Sequence, residues 1–118
     1  MRARARRRVE AHALAVAGAL LPRVSLSIAW TTHPLAGAEG EEVHAVAFSC
    51  GEHAIVVLDE DVFERSSAAE REDTIRHEIA HLLAWHRHGH EITDHGPEYR
   101  AARRDLDRTL DSDDDGAC

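Results

Sequence analysis

One helical segment, residues 67–89, constrains the fold more than any other part of the chain. Its apolar residues recur at helical spacing and form one stripe, made of Ile75, Ile79, Leu82 and Leu83. Ser67 begins the segment and Glu70 follows three residues later, which is the arrangement of a capping box. Gly89 supplies a stop at the other end. The segment therefore predicts a helix that ends near His88 and packs its apolar side on other elements.

The chain before this helix predicts another helix and a sheet. Within residues 1–20, one helical face carries Val9, Ala13, Val16, Ala17 and Leu20. The stretch "RVSLSIAW" alternates apolar and polar residues like a half-buried strand, and "VHAVAFS" predicts a second strand that returns antiparallel to the first. The stretch "AIVVLD" is a short continuous apolar run, which is typical of a central or well-covered strand.

The chain after the long helix predicts a C-terminal helix and a tail. Pro97 suits a first helical turn, and the helix that follows is expected to bury Tyr99, Ala102, Leu106 and Leu110. The acidic run at 111–118 is expected to be a disordered tail. Residues 1–110 thus predict one α+β domain with an N-terminal helix, a three-stranded mainly antiparallel sheet, the long helix and a C-terminal helix.

The charged residues are unusual in kind as well as in balance. Acidic residues number 22 against 14 basic ones, the net charge is −8, and every basic residue is arginine. We interpret this composition as an adaptation to high internal salt, where screening removes self-repulsion. A mildly acidic protein from a GC-rich genome is the alternative. In either case the excess negative charge repels nucleic acid unless arginines are gathered locally.

The cysteines and the N-terminus favour a cytoplasmic protein. Cys50 and Cys118 lie far apart and can build neither a CxxC zinc ribbon nor a disulfide framework, so a reducing compartment is the simpler assumption. The basic start resembles a signal peptide, but Glu10 and His12 interrupt its apolar part. No run approaches the ~20 apolar residues of a membrane span.

Two histidines and a glutamate lie together on the long helix in the pattern HExxH. His77 and His81 are four residues apart, so their imidazoles stand one turn apart and can point at one metal ion. Helical periodicity places them roughly opposite the apolar stripe. Glu78 can flank the metal without ligating it, which is where a base acting on metal-bound water must stand.

A third zinc ligand must come from another segment. His88 shares the helical face of His81 but lies ~10 Å along the helix, which is too far to share one ion. His95 is the preferred candidate, because it follows the stop at Gly89 and precedes Gly96 near the next helix. The competing candidates are two glutamates, Glu91 and Glu98.

The other histidines receive lesser roles. His86 points with the apolar stripe, so we expect a helix-end or partly buried histidine. His90 is either free for proton transfer or an exposed loop residue. No residue is clearly assigned to stabilise an oxyanion, and the residues considered for it are Tyr99, His88 and His90. The pattern HExxHxxGxxH is excluded, because the chain holds Ala84 and Arg87 at its glycine and third histidine positions.

The segment "HEIAHLLAWHRHGHEITDHGPEYRAARRDL" resembles the SprT/Spartan-type zinc metallopeptidase domain. The signature of that family is HExxH on a helix, followed by a histidine in an HGxx-aromatic turn. The matching positions are His77, Glu78, His81 and the turn from His95 to Tyr99. The resemblance implies a small zincin-like fold that uses Zn²⁺, with His77, His81 and His95 as metal ligands and Glu78 as the catalytic residue.

The resemblance also implies an activity and a partner. The expected reaction is hydrolysis of peptide bonds in protein substrates by zinc-bound water that Glu78 activates. An extended substrate could pair with an exposed strand edge, although the sequence identifies no substrate-binding residue. Many relatives carry a cysteine zinc ribbon or a basic DNA-binding extension, whereas this chain ends in an acidic run. Association with DNA is therefore possible by resemblance but is not supported by the acidic composition.

Two other functions remain open at this stage. The same histidines could staple two helices as a non-catalytic structural zinc module, with Glu91 as the fourth ligand. The chain could also be an interaction protein whose histidines are incidental. The enzyme requires three converging histidines and an unbound Glu78, the structural module requires a fourth protein donor, and the interaction protein requires no convergence at all.

Overall fold

The computed structural model describes residues 1–37 and 39–116, and its elements confirm the predicted α+β class. The helices are α1 (Ala3–Leu20), α2 (Glu60–Arg65), α3 (Ala68–His88) and α4 (Pro97–Gly116). The strands are β1 (Ser25–Thr31), β2 (Leu35–Ala36), β3 (Glu42–Val43), β4 (Ala45–Cys50) and β5 (His53–Asp59). Helices α1 and α3 begin and end close to the expected positions and α4 begins where expected, whereas β2, β3 and α2 are additions to the predicted order.

The three-stranded sheet is mixed rather than mainly antiparallel. Its order is β1-β5-β4, and β5 pairs parallel to β1 and antiparallel to β4. The central place predicted for the "AIVVLD" run is thereby confirmed. The expected return of β4 beside β1 is wrong in one respect, because β5 lies between the two strands. The hairpin that joins β4 to β5 turns at Gly51, whose φ of +60° is a backbone conformation that favours glycine.

Helix α1 packs its predicted apolar face on the core. Val9, Ala13, Val16 and Ala17 are buried, and Leu20 is partly buried against them. The core they join also contains Val56 and Leu58 of the central strand. None of the helices in the described part of the chain combines the length and the apolar character that a membrane crossing needs.

Helix α3 is enclosed on more sides than the sequence predicts. Its apolar stripe is buried as expected, and the capping box of Ser67 and Glu70 is present. The side that carries the histidines is covered as well, because α4 packs across it and leaves His81 only 6% exposed. Ion pairs from Arg76 to Asp107 and from Arg87 to Asp105 join the two helices. The prediction that the histidine face points away from the packed interior is therefore wrong for His81.

Helix α4 begins at Pro97, as predicted, and buries Tyr99, Ala102 and Leu106. It continues to Gly116, so the segment predicted as a tail, 111–118, begins inside this helix. Residues 117 and 118 lie outside the described residues, and the disorder of the tail stays a prediction.

Candidate metal centre

Helix α3 supplies two of the three predicted metal ligands from consecutive turns. The ring centroids of His77 and His81 are 4.8 Å apart, as the four-residue spacing requires. The ring of His81 stacks on Trp85, one further turn along, at 5.5 Å and an interplanar angle of 26°. Both imidazoles therefore project from one side of α3 toward the start of α4.

The loop from Gly89 to Gly96 brings the third histidine back to α3. Gly89 ends α3 with a φ of +81°, a conformation that L side chains rarely adopt, and it turns the chain. The backbone N–H of Gly96 donates to the carbonyl of Thr93 over 3.1 Å and closes a tight turn around His95. A side chain at Gly96 would meet Thr93 Cβ at 2.9 Å. The turn that presents His95 thus depends on glycine for space.

His77, His81 and His95 converge at their Nε2 atoms, which lie 3.2 Å apart in every pair. Three Zn–N bonds of about 2.0–2.1 Å at tetrahedral angles hold their nitrogens about 3.3–3.4 Å apart. The observed spacing therefore fits three corners of a tetrahedron around one zinc ion. Within residues 1–37 and 39–116, these three side chains are the group close enough together to hold a metal ion, which leaves the fourth corner without a protein donor there.

The outward nitrogens of the rings explain why the inward ones are suited to a cation. Nδ1 of His77 is 2.8 Å from the hydroxyl oxygen of Tyr99, and Nδ1 of His81 is 3.8 Å from a carboxylate oxygen of Asp94. A neutral imidazole carries one proton, and a carboxylate or hydroxyl partner draws that proton to Nδ1. The Nε2 lone pairs of His77 and His81 then face each other, an arrangement that a bound cation relieves.

Burial favours the neutral, metal-binding form of the histidines on α3. The pKa of His81 is lowered to about 4, chiefly by burial and to a smaller extent by His77 and His95, while Asp94 opposes them. Burial also lowers the pKa of His77, as do the charges of His95 and Arg103. At neutral pH neither ring has to lose a proton to bind a metal ion.

Glu78 stands beside the three histidines without joining them. Its Oε2 atom is 4.0 Å from His77 Nε2, and the residue is 7% exposed. Burial raises the pKa of this carboxyl to about 8, with a smaller contribution from the charge of Asp94. A buried carboxyl group with a raised pKa can take and return a proton near neutrality.

A cleft of about 290 Å³ opens beside Glu78. It is lined by Val43 at the end of β3, by His44, by Ala45 at the start of β4, and by Asp73, Thr74, His77 and Glu78 from α3. Strand β4 is at one edge of the three-stranded sheet, with β5 on its other side. The cleft thus lies between an edge strand and the helix that carries the histidines.

The remaining sequence candidates lie outside the group of three histidines. His86 and His88 are exposed at the end of α3, and neither Glu91 nor Glu98 belongs to the group. His90 Nε2 is 2.8 Å from Ser49 Oγ, and its ring stacks on Trp85 at 5.1 Å. His90 therefore ties the loop to β4 instead of facing the converging nitrogens.

Tyr99 contacts His77, which the sequence does not predict. The sequence suggests that Tyr99 stabilises an oxyanion or packs against the last helix, but its hydroxyl lies at the outward nitrogen of His77. Arg103 lies close enough to this hydroxyl to lower its pKa, and it pairs with Asp73 over 2.6 Å. The sequence spacing could have indicated that these side chains lie together, because Arg103 is four residues after Tyr99 and Asp73 is four residues before His77.

Fold and site together define a class: an α+β domain in which an HExxH helix and a following histidine turn bring three imidazoles and one free carboxyl group together. The model of the SprT-like family matches residues 6–114. Since the match spans most of the chain, the protein belongs to the SprT-like family. No curated protein and no solved structure is a significant match to the chain.

Proposed function

We propose that this protein is a zinc-dependent peptidase that hydrolyses peptide bonds in protein substrates. One observation carries the proposal: the Nε2 atoms of His77, His81 and His95 converge while the carboxyl group of Glu78 stays outside them, 4.0 Å from His77 Nε2. A structural zinc site fills its coordination with protein donors, whereas a catalytic site keeps one position open. Three donors and an adjacent free carboxyl group fit the second kind of site.

The three histidines and Glu78 have different roles in the proposed reaction. Zinc, held by the three Nε2 atoms, would supply Lewis acidity and lower the pKa of a water molecule. Glu78 then accepts the proton of the attacking water and returns it to the leaving amine. The carboxyl pKa of about 8 applies without a metal. A cation within a few ångströms lowers this pKa and so favours the ionised carboxylate that a base needs. Burial of Glu78 keeps its proton from exchanging freely with bulk water.

The cleft between β4 and α3 is the proposed place for the substrate. An extended peptide can pair with an edge strand through main-chain hydrogen bonds, which recognise the backbone independently of most side chains. The segment from Val43 to Ala45, which leads from β3 into β4, lines the cleft, and Glu78 lies on its opposite wall. A peptide bound along β4 would therefore pass beside the carboxyl group that moves the proton.

The test compares Glu78→Gln with the parent protein in a casein assay and a self-cleavage assay at high salt, with zinc measured in both proteins. We expect equal zinc content and a loss of activity of about 10²-fold or more, because a general base contributes on the order of 10²–10⁴. Glu72→Gln is the matched control, since Glu72 is exposed on the same helix and away from the three histidines. It should keep full activity.

Each outcome of this test decides between the candidate functions. Zinc in both proteins with activity in the parent alone supports the peptidase. Equal activity in the parent and in Glu78→Gln contradicts it. Stoichiometric zinc with no cleavage of either substrate by the parent overturns the proposal in favour of a structural zinc module, and protein that takes up no zinc overturns both.

A further inference from the structure

Of the two ligands that α3 supplies, His77 is the one that packing encloses less. Its side chain is 37% exposed, against 8% for that of His81, and it faces the open cleft beside β4. Rotation about its side-chain bonds would carry Nε2 away from the other two nitrogens. A specific contact must therefore fix this ring if the three nitrogens are to stay together.

Tyr99 provides that contact through its hydroxyl group. Its ring lies 4.5 Å from that of His81, 5.2 Å from that of His77 and 5.1 Å from that of His95, measured between centroids. The ring thus packs against all three imidazoles, while the hydroxyl reaches one of them, at His77 Nδ1. The residue is 8% exposed, so its position is fixed by the packing at the start of α4.

Arg103, one turn further along α4, lies beside the hydroxyl of Tyr99. The guanidinium group lies close enough to that hydroxyl to lower its pKa, pairs with Asp73 over 2.6 Å, and pairs with Asp107 over 3.1 Å. His77 and Asp73 are one turn apart on α3, as Tyr99 and Arg103 are on α4. The polar contacts of His77 thus run through Tyr99 and Arg103 on α4 back to Asp73 on α3.

We propose that Tyr99, held by Arg103, is a positioning residue that fixes the tautomer and the ring orientation of His77. The proposal rests on the proposed function in that it takes the three histidines to bind zinc. When Nε2 is the ligand atom, Nδ1 carries the proton and donates it to the tyrosine oxygen, beside which Arg103 lies. Tyr99 then acts on the metal through His77 and needs no contact with the substrate.

The experiment measures zinc affinity by competition with a chelator, using the full chain and four variants: Tyr99→Phe, Arg103→Met, the double variant, and Arg76→Met. Tyr99→Phe keeps the ring and removes the hydroxyl, and we expect zinc to bind about 10–100-fold more weakly. Arg103→Met should weaken binding by a smaller factor. The double variant should bind zinc no more weakly than Tyr99→Phe, because Arg103 acts through the hydroxyl that is already absent.

Arg76→Met is the matched control for a general loosening of the helix pair. Arg76 also joins α3 to α4 by ion pairs, to Asp107 and Asp111, but the contacts of its guanidinium do not include Tyr99. Zinc affinity should be unchanged in this variant. The absorption spectrum of the Co²⁺-substituted protein gives a second readout, since a turned His77 ring changes the ligand field and a merely less stable fold does not.

Three results would overturn the proposal. One is a zinc affinity of Tyr99→Phe within about twofold of the parent value. Another is an equal loss in Arg103→Met and Arg76→Met, which decides the matter even where Tyr99→Phe fails to fold. The last is a loss from Arg103→Met that is equally large when Tyr99 is already Phe. Because zinc affinity is measured without substrate, a parent protein that binds zinc and cleaves nothing would remove the peptidase and leave this inference standing.

Discussion

The buried carboxyl group of Glu78 and the buried imidazole of His81 make the stability of the protein change with pH in opposite directions. Each is held in its neutral form by burial, which raises the pKa of Glu78 to about 8 and lowers that of His81 to about 4. Folding must therefore prevent Glu78 from ionising and His81 from taking a proton. Both costs fall on the metal-free protein, because a bound cation favours the ionised carboxylate and the neutral imidazole alike.

The metal-free protein should lose stability as the pH rises from 6.5 to 8. In this range the unfolded chain has released the Glu78 proton, whose ordinary pKa is 4.5, while the folded protein still holds it, so the folded state binds more protons. Glu78 alone should lower the free energy of unfolding by about 1.5 kcal/mol over this range, and the lowered pKa values of His81 and His77 offset part of that fall. Urea denaturation in the presence of a chelator measures it.

Glu78→Gln is the control for this pH dependence. Glutamine does not titrate, so the loss between pH 6.5 and 8 should disappear. Below pH 6.5 the variant should become less stable, because the unfolded chain protonates His81 while the folded protein does not. In the parent, the opposite effect of Glu78 offsets this loss between about pH 4.5 and 6.5. A parent protein whose stability is flat from pH 6.5 to 8 would contradict the assignment of Glu78 as buried and protonated.

At the scale of elements, the site depends on the loop that leaves α3 as much as on α3 itself. The HExxH helix fixes two of the proposed ligands, and the third is placed by the turn from Thr93 to Gly96. His90 anchors the start of this loop to Ser49 of β4, and Ile92 packs against the core. The loop is thus fixed at both ends, and a small change in its turn should move His95.

Replacing Gly96 with alanine should weaken the metal site. The added Cβ would approach Thr93 Cβ to 2.9 Å, so the turn must shift and carry His95 with it. We expect a loss of stability of about 1–3 kcal/mol, as for other overpacked positions, together with weaker zinc binding. Thermal unfolding and chelator competition measure the two effects.

Gly18→Ala is the matched control for the change at Gly96. Gly18 lies in α1, and a Cβ there meets no atom within 4 Å. This variant should gain up to about 1 kcal/mol, because alanine favours the helix more than glycine does, and its zinc affinity should not change. If Gly96→Ala binds zinc as tightly as the parent, the turn is not what places His95.

The sequence predicts the helices and strands themselves better than it predicts which of them lie next to each other. Periodicity is a local property, so it identifies α1, α3 and α4, and the unbroken apolar run identifies β5 as central. The parallel pairing of β1 with β5 joins segments that are distant in the chain, and the alternation within β1 is the same whichever strand lies beside it. Strands of two residues, such as β2 and β3, are too short to show any period.

The residues of the site are likewise predicted from the sequence where they depend on local spacing and are not predicted where they depend on contacts between distant segments. His77, Glu78 and His81 are set by their spacing on one helix, and His95 is favoured by the glycines on either side of it. The burial of His81 and the contact of Tyr99 with His77 depend on how α4 crosses α3. The sequence shows that α4 is amphipathic, but the crossing angle arises from the packing of both helices.

At the scale of the whole molecule, the net charge of −8 sets the response to salt. The ion pairs between α3 and α4, such as Arg87 with Asp105, are partly exposed and contribute little individually. Repulsion among the excess carboxylates acts over the whole surface and is screened as salt increases. Screening should therefore relieve more repulsion than the attraction it removes.

The thermal unfolding midpoint should rise when the salt concentration is raised from about 0.1 to 1 M, where the Debye length falls from ~10 to ~3 Å. Scanning calorimetry of the metal-free protein measures this, and a parallel series in sucrose separates screening from the general effect of excluded cosolutes. A midpoint that falls with NaCl would show that the interhelical ion pairs outweigh the repulsion, and it would remove the argument for salt adaptation.

The central strand of the sheet is also its last strand in sequence. While the chain emerges from the ribosome, β1 and β4 have no partner in this sheet until His53–Asp59 has been synthesised. Arrival of that one segment allows both ladders to form together, and the HExxH helix and its third histidine follow later still. Synthesis therefore separates the two events in time, and a nascent chain halted once Asp59 has cleared the exit tunnel could complete its sheet before any of the proposed metal ligands leaves the tunnel.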